Sequence, residues 1–235
     1  MNIQIIVEDH VVPQLFTAAI EAYEIGDRIN ARRGVGVSGL ETYGLLWGYA
    51  LPARPETNQP ERLVAVTATV ETSAIRRQDS TSPSNKSIAM KRDFMRQYWP
   101  QLELIGTFHS HPYANLNEVK NNRGWRGSEI DDKGHGDKAH WPWFHEEFCP
   151  EMPTLAHLIV TICGLEKRGT AWPSRLSGAE AKTGYVLSAD YRKLWIKAYA
   201  SECFTEDDDL DEPLLEFTVT EDVVLDIPAL QQRFV

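Results

Sequence analysis

Apolar residues follow two patterns along the chain. Some form short runs typical of β-strands, and others recur at helical spacing over longer segments. The short runs predict strands at residues 2–7, 42–50, 63–71, 102–108, 155–163, 184–188 and 214–225. Helical spacing predicts amphipathic helices over 13–32 and from Ser84 or Asn85 to about Trp99, while 193–200 fits either a strand or a helix. The order of these elements indicates an α/β fold with a mixed β-sheet flanked by helices.

The strand at 102–108 leads directly into His109-Ser110-His111-Pro112. Residues i and i+2 of a strand point to the same face, so the two imidazoles are expected to project together. Pro112 has no N–H to continue a ladder, and we expect the strand to end there. Two adjacent imidazoles are half of a metal site.

A carboxylate to complete such a site is available in Ser128-Glu129-Ile130-Asp131, after a loop over residues 113–127. Two histidines and one aspartate form a ligand set for zinc that leaves a fourth position open for water. Ser128 is also predicted to begin a short helix, with acidic residues in its first turn. The alternative is a pair of surface histidines at a strand end and an unrelated helix cap.

A hydrolytic zinc site also needs a residue that carries protons without binding the metal. Glu41 is the candidate, because it follows a glycine-rich approach and immediately precedes the predicted strand 42–50. Glycines inside that strand indicate close approach of a neighbouring backbone. The alternative for Glu41 is an ordinary surface acid at a strand boundary.

Taken together, these segments resemble the JAMM (MPN+) zinc metalloproteases, particularly bacterial members that deconjugate ubiquitin-like proteins. The resemblance spans roughly residues 10–165 and depends on the segment that begins at Glu41 and continues Thr-Tyr-Gly-Leu-Leu-Trp-Gly, on His109-Ser-His-Pro, and on Ser128-x-x-Asp131. The spacer between Pro112 and Ser128 is longer than the family usually has, and Asp132 is the nearest competitor to Asp131.

The resemblance implies an MPN/JAB architecture, which is similar to that of cytidine deaminases. It implies that His109, His111 and Asp131 bind one catalytic zinc ion. It also implies that Glu41 is the general base and then the general acid for attack by zinc-bound water, and that Ser128 stabilises the oxyanion.

The implied activity is an isopeptidase or peptidase that cleaves after the C-terminal glycine of a ubiquitin-like protein, in deconjugation or precursor maturation. Partners would be that protein, its conjugates and associated conjugation enzymes. The long loop is expected to line the channel for the substrate tail through Lys120, Arg123, Trp125 and Arg126. The alternatives are a tolerated surface insertion for the loop and, for the protein, a non-catalytic MPN-type scaffold or a small-amide metallohydrolase.

Composition and net charge bear on the partners and the cellular location of the protein. With 235 residues and a net charge of −10, the chain has no excess of cations to neutralise phosphates, which argues against nucleic acid as the main partner. Three scattered cysteines, the lack of a signal-peptide pattern and the lack of a long apolar run predict a cytoplasmic protein without a membrane span. Residues 1–205 are predicted to form the metalloprotease domain, with 206–235 as an acidic linker and C-terminal strand or tail packed on it.

The remaining histidines give weaker evidence of metal binding. The group His135, His140, His145 and Cys149 is a possible second metal site, but its spacing matches no familiar zinc module, and surface or core histidines are the alternative. His157, inside an apolar run, is interpreted as a core histidine with satisfied hydrogen bonds.

Overall fold

The computed structural model describes residues 3–28, 36–206 and 214–231. They form an α/β fold with a large mixed sheet of ten strands and four helices. The helices are α1 (Val12–Glu24), α2 (Asn85–Tyr98), α3 (Leu116–Asn122) and α4 (Asp137–Phe148). The strands are β1 (Ile3–Val7), β2 (Asp27–Arg28), β3 (Gly36–Val37), β4 (Tyr43–Leu51), β5 (Arg62–Val70), β6 (Ile75–Arg76), β7 (Thr81–Ser82), β8 (Glu103–Tyr113), β9 (Thr154–Gly164), β10 (Ala171–Arg175), β11 (Gly184–Ala189), β12 (Arg192–Glu206), β13 (Leu214–Thr220) and β14 (Val223–Asp226).

The large sheet has the strand order β10-β11-β12-β9-β8-β4-β5-β1-β14, with β13 also paired to β12. Most neighbours are antiparallel, but β8 and β9 are parallel, and so are the pairs that β1 forms with β5 and β14. Both central strands lie deep in the core, and every residue of β9 before Gly164 is buried. Their depth explains why these segments are almost continuously apolar.

Helices cover the sheet where its strands are most apolar. Helix α1 packs against β5, β8 and β9 through a buried stripe that includes Leu15 and Ala19. Helix α4 packs against β12 and β13, and Trp141 and Phe144 of this helix are fully buried. Alternation along β8 sends Phe108 into the main apolar core and places His109 near Trp141, with ring centroids 6.2 Å apart. The sheet therefore presents the histidines of β8 toward α4.

Close packing between β4 and β8 requires a glycine at residue 44. A Cβ atom added there would lie 2.2 Å from Cε1 of Phe108. Any larger residue would displace this aromatic ring from the core. A Cβ atom added at Gly48 would lie 1.8 Å from the carbonyl oxygen of Val64, so the predicted close approach of a neighbouring backbone is present.

Two predicted boundaries differ from the structure. Helix α1 ends at Glu24, ahead of Gly26 at φ +60°, whereas a helix to residue 32 was predicted; residues 29–35 lie outside the described part. Strand β8 does not end before Pro112 but continues to Tyr113. The strand tolerates this proline because the segment leading into β4 hydrogen-bonds to β8 only as far as Ser110, and no described strand pairs with that edge of β8 beyond this point.

The segment between β8 and β9 also departs from the prediction. Part of the predicted loop is α3, capped by the side chain of Asn115, which accepts hydrogen bonds from two backbone N–H groups. No helix begins at Ser128, and the next helix is α4, for which the sequence pattern predicted no element. Proline and aromatic residues obscured its helical pattern, because tertiary packing rather than propensity stabilises it.

The C-terminal strands belong to the same sheet, since β13 pairs with β12 and β14 pairs with β1. Most of the predicted acidic linker, residues 207–213, lies outside the described part. Among the described residues, no helix combines the length and apolar character needed to cross a bilayer.

Candidate metal centre

Two histidines and one aspartate converge at the end of β8. The Nε2 atoms of His109 and His111 are 3.0 Å apart. The two carboxylate oxygens of Asp137 lie 3.0 Å from Nε2 of His109 and 3.3 Å from Nε2 of His111. Among the described residues, these three are the only group of His, Cys, Asp or Glu side chains arranged to hold a metal ion.

The third residue of this group is Asp137 and not Asp131, so the predicted placement of Asp131 beside the imidazoles is wrong. Asp131 is exposed, and its Oδ1 accepts hydrogen bonds from the backbone N–H groups of Lys133 and His135, which closes a local turn. Such a turn is a common use of a short acidic side chain. Residues 129–136 form an excursion that separates Ser128 from its carboxylate partner.

Ser128 itself is part of the site, although it does not start a helix. Its N–H donates to Oδ2 of Asp137 at 2.7 Å, and its Oγ accepts from the N–H of Asp137 at 2.8 Å. The first residue of α4 is therefore fixed against Ser128, with its carboxylate at the helix N-terminus, where the helix dipole favours negative charge.

The imidazole of His111 is held by a backbone carbonyl. Its Nδ1 lies 3.0 Å from the carbonyl oxygen of Gly124, which also accepts a hydrogen bond from Oγ1 of Thr161. A carbonyl oxygen only accepts, so Nδ1 of His111 carries a hydrogen and Nε2 is left to face the cluster. This is the common arrangement of a metal-binding histidine.

The charge state of the metal-free cluster follows from the same contacts. Burial by itself would lower the pKa of His111, but the hydrogen bond and attraction to Asp137 raise it to about 9. Burial would likewise raise the pKa of Asp137, yet attraction to the two histidines holds it well below its ordinary value. The site therefore attracts positive charge, as a proton or as a metal ion.

The geometry of the three side chains fits a small divalent cation. Their ligand atoms all lie within 4.8 Å of one another, and the shorter separations approach the edge of roughly 3.3 Å expected for tetrahedral bonds of about 2.0–2.1 Å. Nitrogen and carboxylate oxygen are ligands that suit several transition metals. The donor set is compatible with a metal ion and does not by itself identify the element.

Glu41 lies in the same cavity as the cluster. This cavity, of about 770 Å³, is lined by Glu41, Ser128 and the three residues of the cluster, together with His140 and Trp143. The side chain of Glu41 is nearly buried, and burial raises the pKa of its carboxyl, although attraction to His109 and His111 opposes the shift.

The position of Glu41 is fixed by the strand that carries the histidines. Ser110, between them, donates its N–H to the carbonyl oxygen of Thr42 and accepts from the N–H of Thr42 through its Oγ. The N–H of Glu41 donates to the carbonyl oxygen of Arg77. The two imidazoles thus lie on β8, and the acid lies just before β4, in a segment hydrogen-bonded to β8.

The residues predicted to bind substrate do not line this cavity. The side chains of Trp125 and Arg126 both donate hydrogen bonds to Glu180, and Trp125 stacks on Trp195. Lys120 and Arg123 are exposed at the end of α3. All four lie on the segment that supplies the carbonyl of Gly124 to His111.

The other histidines and Cys149 do not form a second metal cluster within the described residues. The two ring nitrogens of His145 contact Ser201 and the carbonyl oxygen of Met152, while Sγ of Cys149 faces the carbonyl oxygen of Leu104. The interpretation of His157 as a satisfied core histidine is confirmed, because both of its ring nitrogens have hydroxyl partners.

Sequence reasoning missed Asp137 because Ser-x-x-Asp spacing favoured the nearer aspartate. One local signal was available: Gly136-Asp137 precedes a segment with Trp141, Phe144 and Phe148 at helical spacing, so Asp137 could have been placed at a helix N-terminus. In comparisons with known proteins, no protein-family model matches the chain, and no curated protein shows significant sequence similarity to it.

Proposed function

We propose that the protein is a zinc-dependent peptidase or isopeptidase of the JAMM type. The observation that carries the proposal is the convergence of His109, His111 and Asp137 in one cavity with a buried acid, Glu41. A scaffold that only bound partners would have no need of this combination. An MPN-type architecture belongs to the same proposal.

His109, His111 and Asp137 would hold the ion through two imidazole nitrogens and a carboxylate oxygen. A zinc ion bound there would supply a Lewis acid that makes water nucleophilic near neutral pH. Three protein ligands leave a coordination position for the reacting molecule, which is typical of catalytic rather than structural zinc sites.

Glu41 would move the proton. Hydrogen bonds made by the backbone N–H groups of Glu41 and Thr42 keep its carboxylate at the cavity wall. Burial raises the pKa of this carboxyl toward the range in which such a group serves as both base and acid. It would take a proton from the attacking water and return it to the amine that leaves.

Ser128 would stabilise the developing oxyanion. Its Oγ accepts from the N–H of Asp137, which uses a lone pair and leaves the hydroxyl hydrogen free to donate. Ser128 is exposed at the cavity wall, so a substrate oxygen can reach it. A fixed donor of this kind strengthens its bond as negative charge forms on the oxygen.

The substrate in this proposal is the C-terminal tail of a ubiquitin-like protein. Such a tail is thin and extended, and beyond Ser110 the edge of β8 next to the cluster has no strand partner among the described residues. Lys120 and Arg123 remain candidates for contact with the folded part of that partner, because they are exposed on the segment beside the site.

The decisive experiment combines metal analysis with cleavage of ubiquitin that carries a C-terminal peptide extension. Wild type is expected to bind one zinc ion and to cleave the fusion, His109→Ala to lose the metal, and Glu41→Gln to keep the metal without turnover. Small amides assayed with the same preparation separate a peptidase from a small-amide hydrolase. Full activity of Glu41→Gln would refute the mechanism.

Deleting residues 114–124 would be a poor test of whether this segment contacts the substrate. It removes buried Val119 and the carbonyl of Gly124 that holds His111. Lys120→Ala and Arg123→Ala test the loop more cleanly. We expect either variant to weaken binding of the fusion without loss of metal, whereas unchanged binding in both would favour a tolerated surface insertion.

A further inference from the structure

A buried lysine on β12 lies close to the residues that support the metal cluster. Side chains two positions apart share one face of a strand, and on this face Trp195, Lys197 and Tyr199 follow one another. Trp195 stacks on Trp125, and the hydroxyl oxygen of Tyr199 accepts from the N–H of Gly127 at 2.8 Å. Lys197, between them, is fully buried. This face of β12 therefore packs against the segment between α3 and α4.

Two carboxylates from separate parts of the chain neutralise the lysine. Nζ of Lys197 donates to Oε1 of Glu180 at 2.7 Å and to Oε2 of Glu221 at 2.9 Å. Burial by itself would lower the pKa of Lys197, but its hydrogen bonds to Glu180 and Glu221 raise it above its ordinary value. The ammonium is thus charged at neutral pH and held by both partners, as a buried charge must be.

Glu180 extends the contact to the residues that follow Gly124. Its Oε1 also accepts from Nε of Arg126 at 2.9 Å, and its Oε2 accepts from Nε1 of Trp125 at 3.1 Å. Trp125 directly follows Gly124, whose carbonyl oxygen holds Nδ1 of His111. Glu180 therefore fixes the side chains next to the carbonyl that orients one of the two imidazoles.

Glu221 makes the corresponding contact to the start of α4. It lies between β13 and β14, and its Oε1 accepts from Nζ of Lys138 at 3.2 Å. Lys138 directly follows Asp137, the carboxylate of the metal cluster, and its Nζ also donates to Glu129 at 2.7 Å. Through Glu221, Lys197 is thus connected to the residue beside a candidate metal ligand.

We propose that Lys197 is a positioning residue of the metal centre: through its two carboxylate partners it fixes the carbonyl that holds His111 and the carboxylate of Asp137. Metal ligands must be held to within about 0.5 Å of the productive geometry, and the residues behind them supply this support. The alternative is a lysine that only stabilises the fold. The proposal rests on the metal binding of the proposed function and adds a residue to that site.

Zinc affinity separates the two roles. Lys197→Met keeps an unbranched side chain and removes the charge, so it should lower stability and also weaken zinc binding by about tenfold or more, as is typical of residues that support metal ligands. Lys91→Met is the matched control, because Lys91 of α2 is paired with Glu71, a fully buried carboxylate, and neither residue lines the cavity. It should lower stability and leave zinc affinity unchanged.

Chelator competition measures the zinc dissociation constants, and urea unfolding of the metal-free proteins measures stability. Unchanged zinc affinity in Lys197→Met, or an equal loss in Lys91→Met, would overturn the positioning role. Glu180→Leu decides the question if Lys197→Met does not fold. It removes the acceptor for Trp125 and Arg126 while Lys197 keeps its contact with Glu221. Zinc binding should again weaken, and full affinity in Glu180→Leu would overturn the proposal.

Nuclear magnetic resonance tests the positioning without any metal. In metal-free protein labelled with ¹⁵N-histidine, the Nδ1–H signal of His111, assigned by its loss in His111→Gln, should exchange slowly with solvent, because this group donates to Gly124. In Lys197→Met the signal should exchange faster, since the carbonyl is no longer held in place. Lys91→Met should preserve the slow exchange. The same slow exchange in Lys197→Met would overturn the proposal.

The two kinds of failure are distinguishable. A wild-type protein that binds no zinc would refute the proposed metalloprotease function. The exchange of the His111 Nδ1–H in metal-free protein would still decide whether Lys197 fixes the support of that imidazole.

Discussion

Ser128 and Asp137 exchange two hydrogen bonds across nine positions of the chain, each through the backbone N–H of one residue and the side chain of the other. This exchange closes the excursion over residues 129–136 and places the first carboxylate of α4 against His109 and His111. It also explains how a serine and an aspartate far apart in sequence occupy one site.

Asp137→Asn is expected to lower zinc affinity by more than about 100-fold, because loss of a coordinating carboxylate should exceed the 10–100-fold effect typical of residues that only support ligands. Asp131→Asn is the matched control and should bind zinc like wild type, since Asp131 only closes a local turn. Competition with a chromophoric chelator measures both constants. The reverse ranking would restore Asp131 as the ligand.

Ser128→Ala should reduce both stability and turnover. The lost hydrogen bond to the first N–H of α4 is expected to cost about 1 kcal/mol in the free energy of unfolding, and loss of an oxyanion donor should lower kcat by about 100-fold or more. Ser128→Thr keeps the hydroxyl and should recover much of both the unfolding free energy and kcat. Urea unfolding and steady-state cleavage provide the two measurements; a Ser128→Ala protein with normal kcat would exclude the oxyanion role.

Glu41→Gln should retain zinc and lose at least about 100-fold in kcat, since the amide cannot shuttle a proton. Glu71→Gln is a poor control because Glu71 is buried against Lys91. Glu103→Gln is a better one, as that residue lies outside the cavity. Parallel loss of activity in both variants would indicate a global effect rather than proton transfer.

Stability of the metal-free protein should fall as the pH rises above neutrality. The pKa of His111 is raised from 6.5 to about 9 in the folded protein, so its stabilising contribution is fully present below pH 6.5 and is lost as the pH approaches 9. Thermal melting of chelator-treated protein across this range provides the measurement. His111→Gln should flatten the dependence, and an equal slope in that variant would assign it to other groups.

Zinc affinity should change with pH in the opposite direction. Binding displaces the proton shared by His111 and Asp137, so affinity should rise between pH 6 and about 8. The histidines hold the pKa of Asp137 well below its ordinary value, against the effect of burial. Its carboxylate therefore adds nothing to the change of zinc affinity with pH in this range. Chelator competition at several pH values measures the effect; a flat profile would contradict a protonated metal-free cluster.

Residue alternation made part of the site predictable from the sequence. His109 and His111 share a face because a strand has a period of two, and the apolar run before them identified the strand. Glu41 could be placed just before β4. The cap of α2 was predicted at Ser84 or Asn85, and it is Ser84, whose Oγ accepts from the N–H of Ser87.

The carboxylate that completes the cluster could not be predicted in this way. Spacing along a loop does not specify which side chain returns to a strand, and Asp131 and Asp137 are equivalent by residue type. Helix α4 docks through buried Trp141 and Phe144, and this packing, together with the exchange with Ser128, selects Asp137.

The sequence by itself determined the elements whose signals are local: the central strands, the cap of α2 and the paired imidazoles. Only the tertiary structure decided which carboxylate joins them and how the glutamate reaches the same cavity. Each of these depends on contacts between residues that are not neighbours in sequence. Burial and directed hydrogen bonds stabilise such contacts, and they produce no periodic pattern in the sequence.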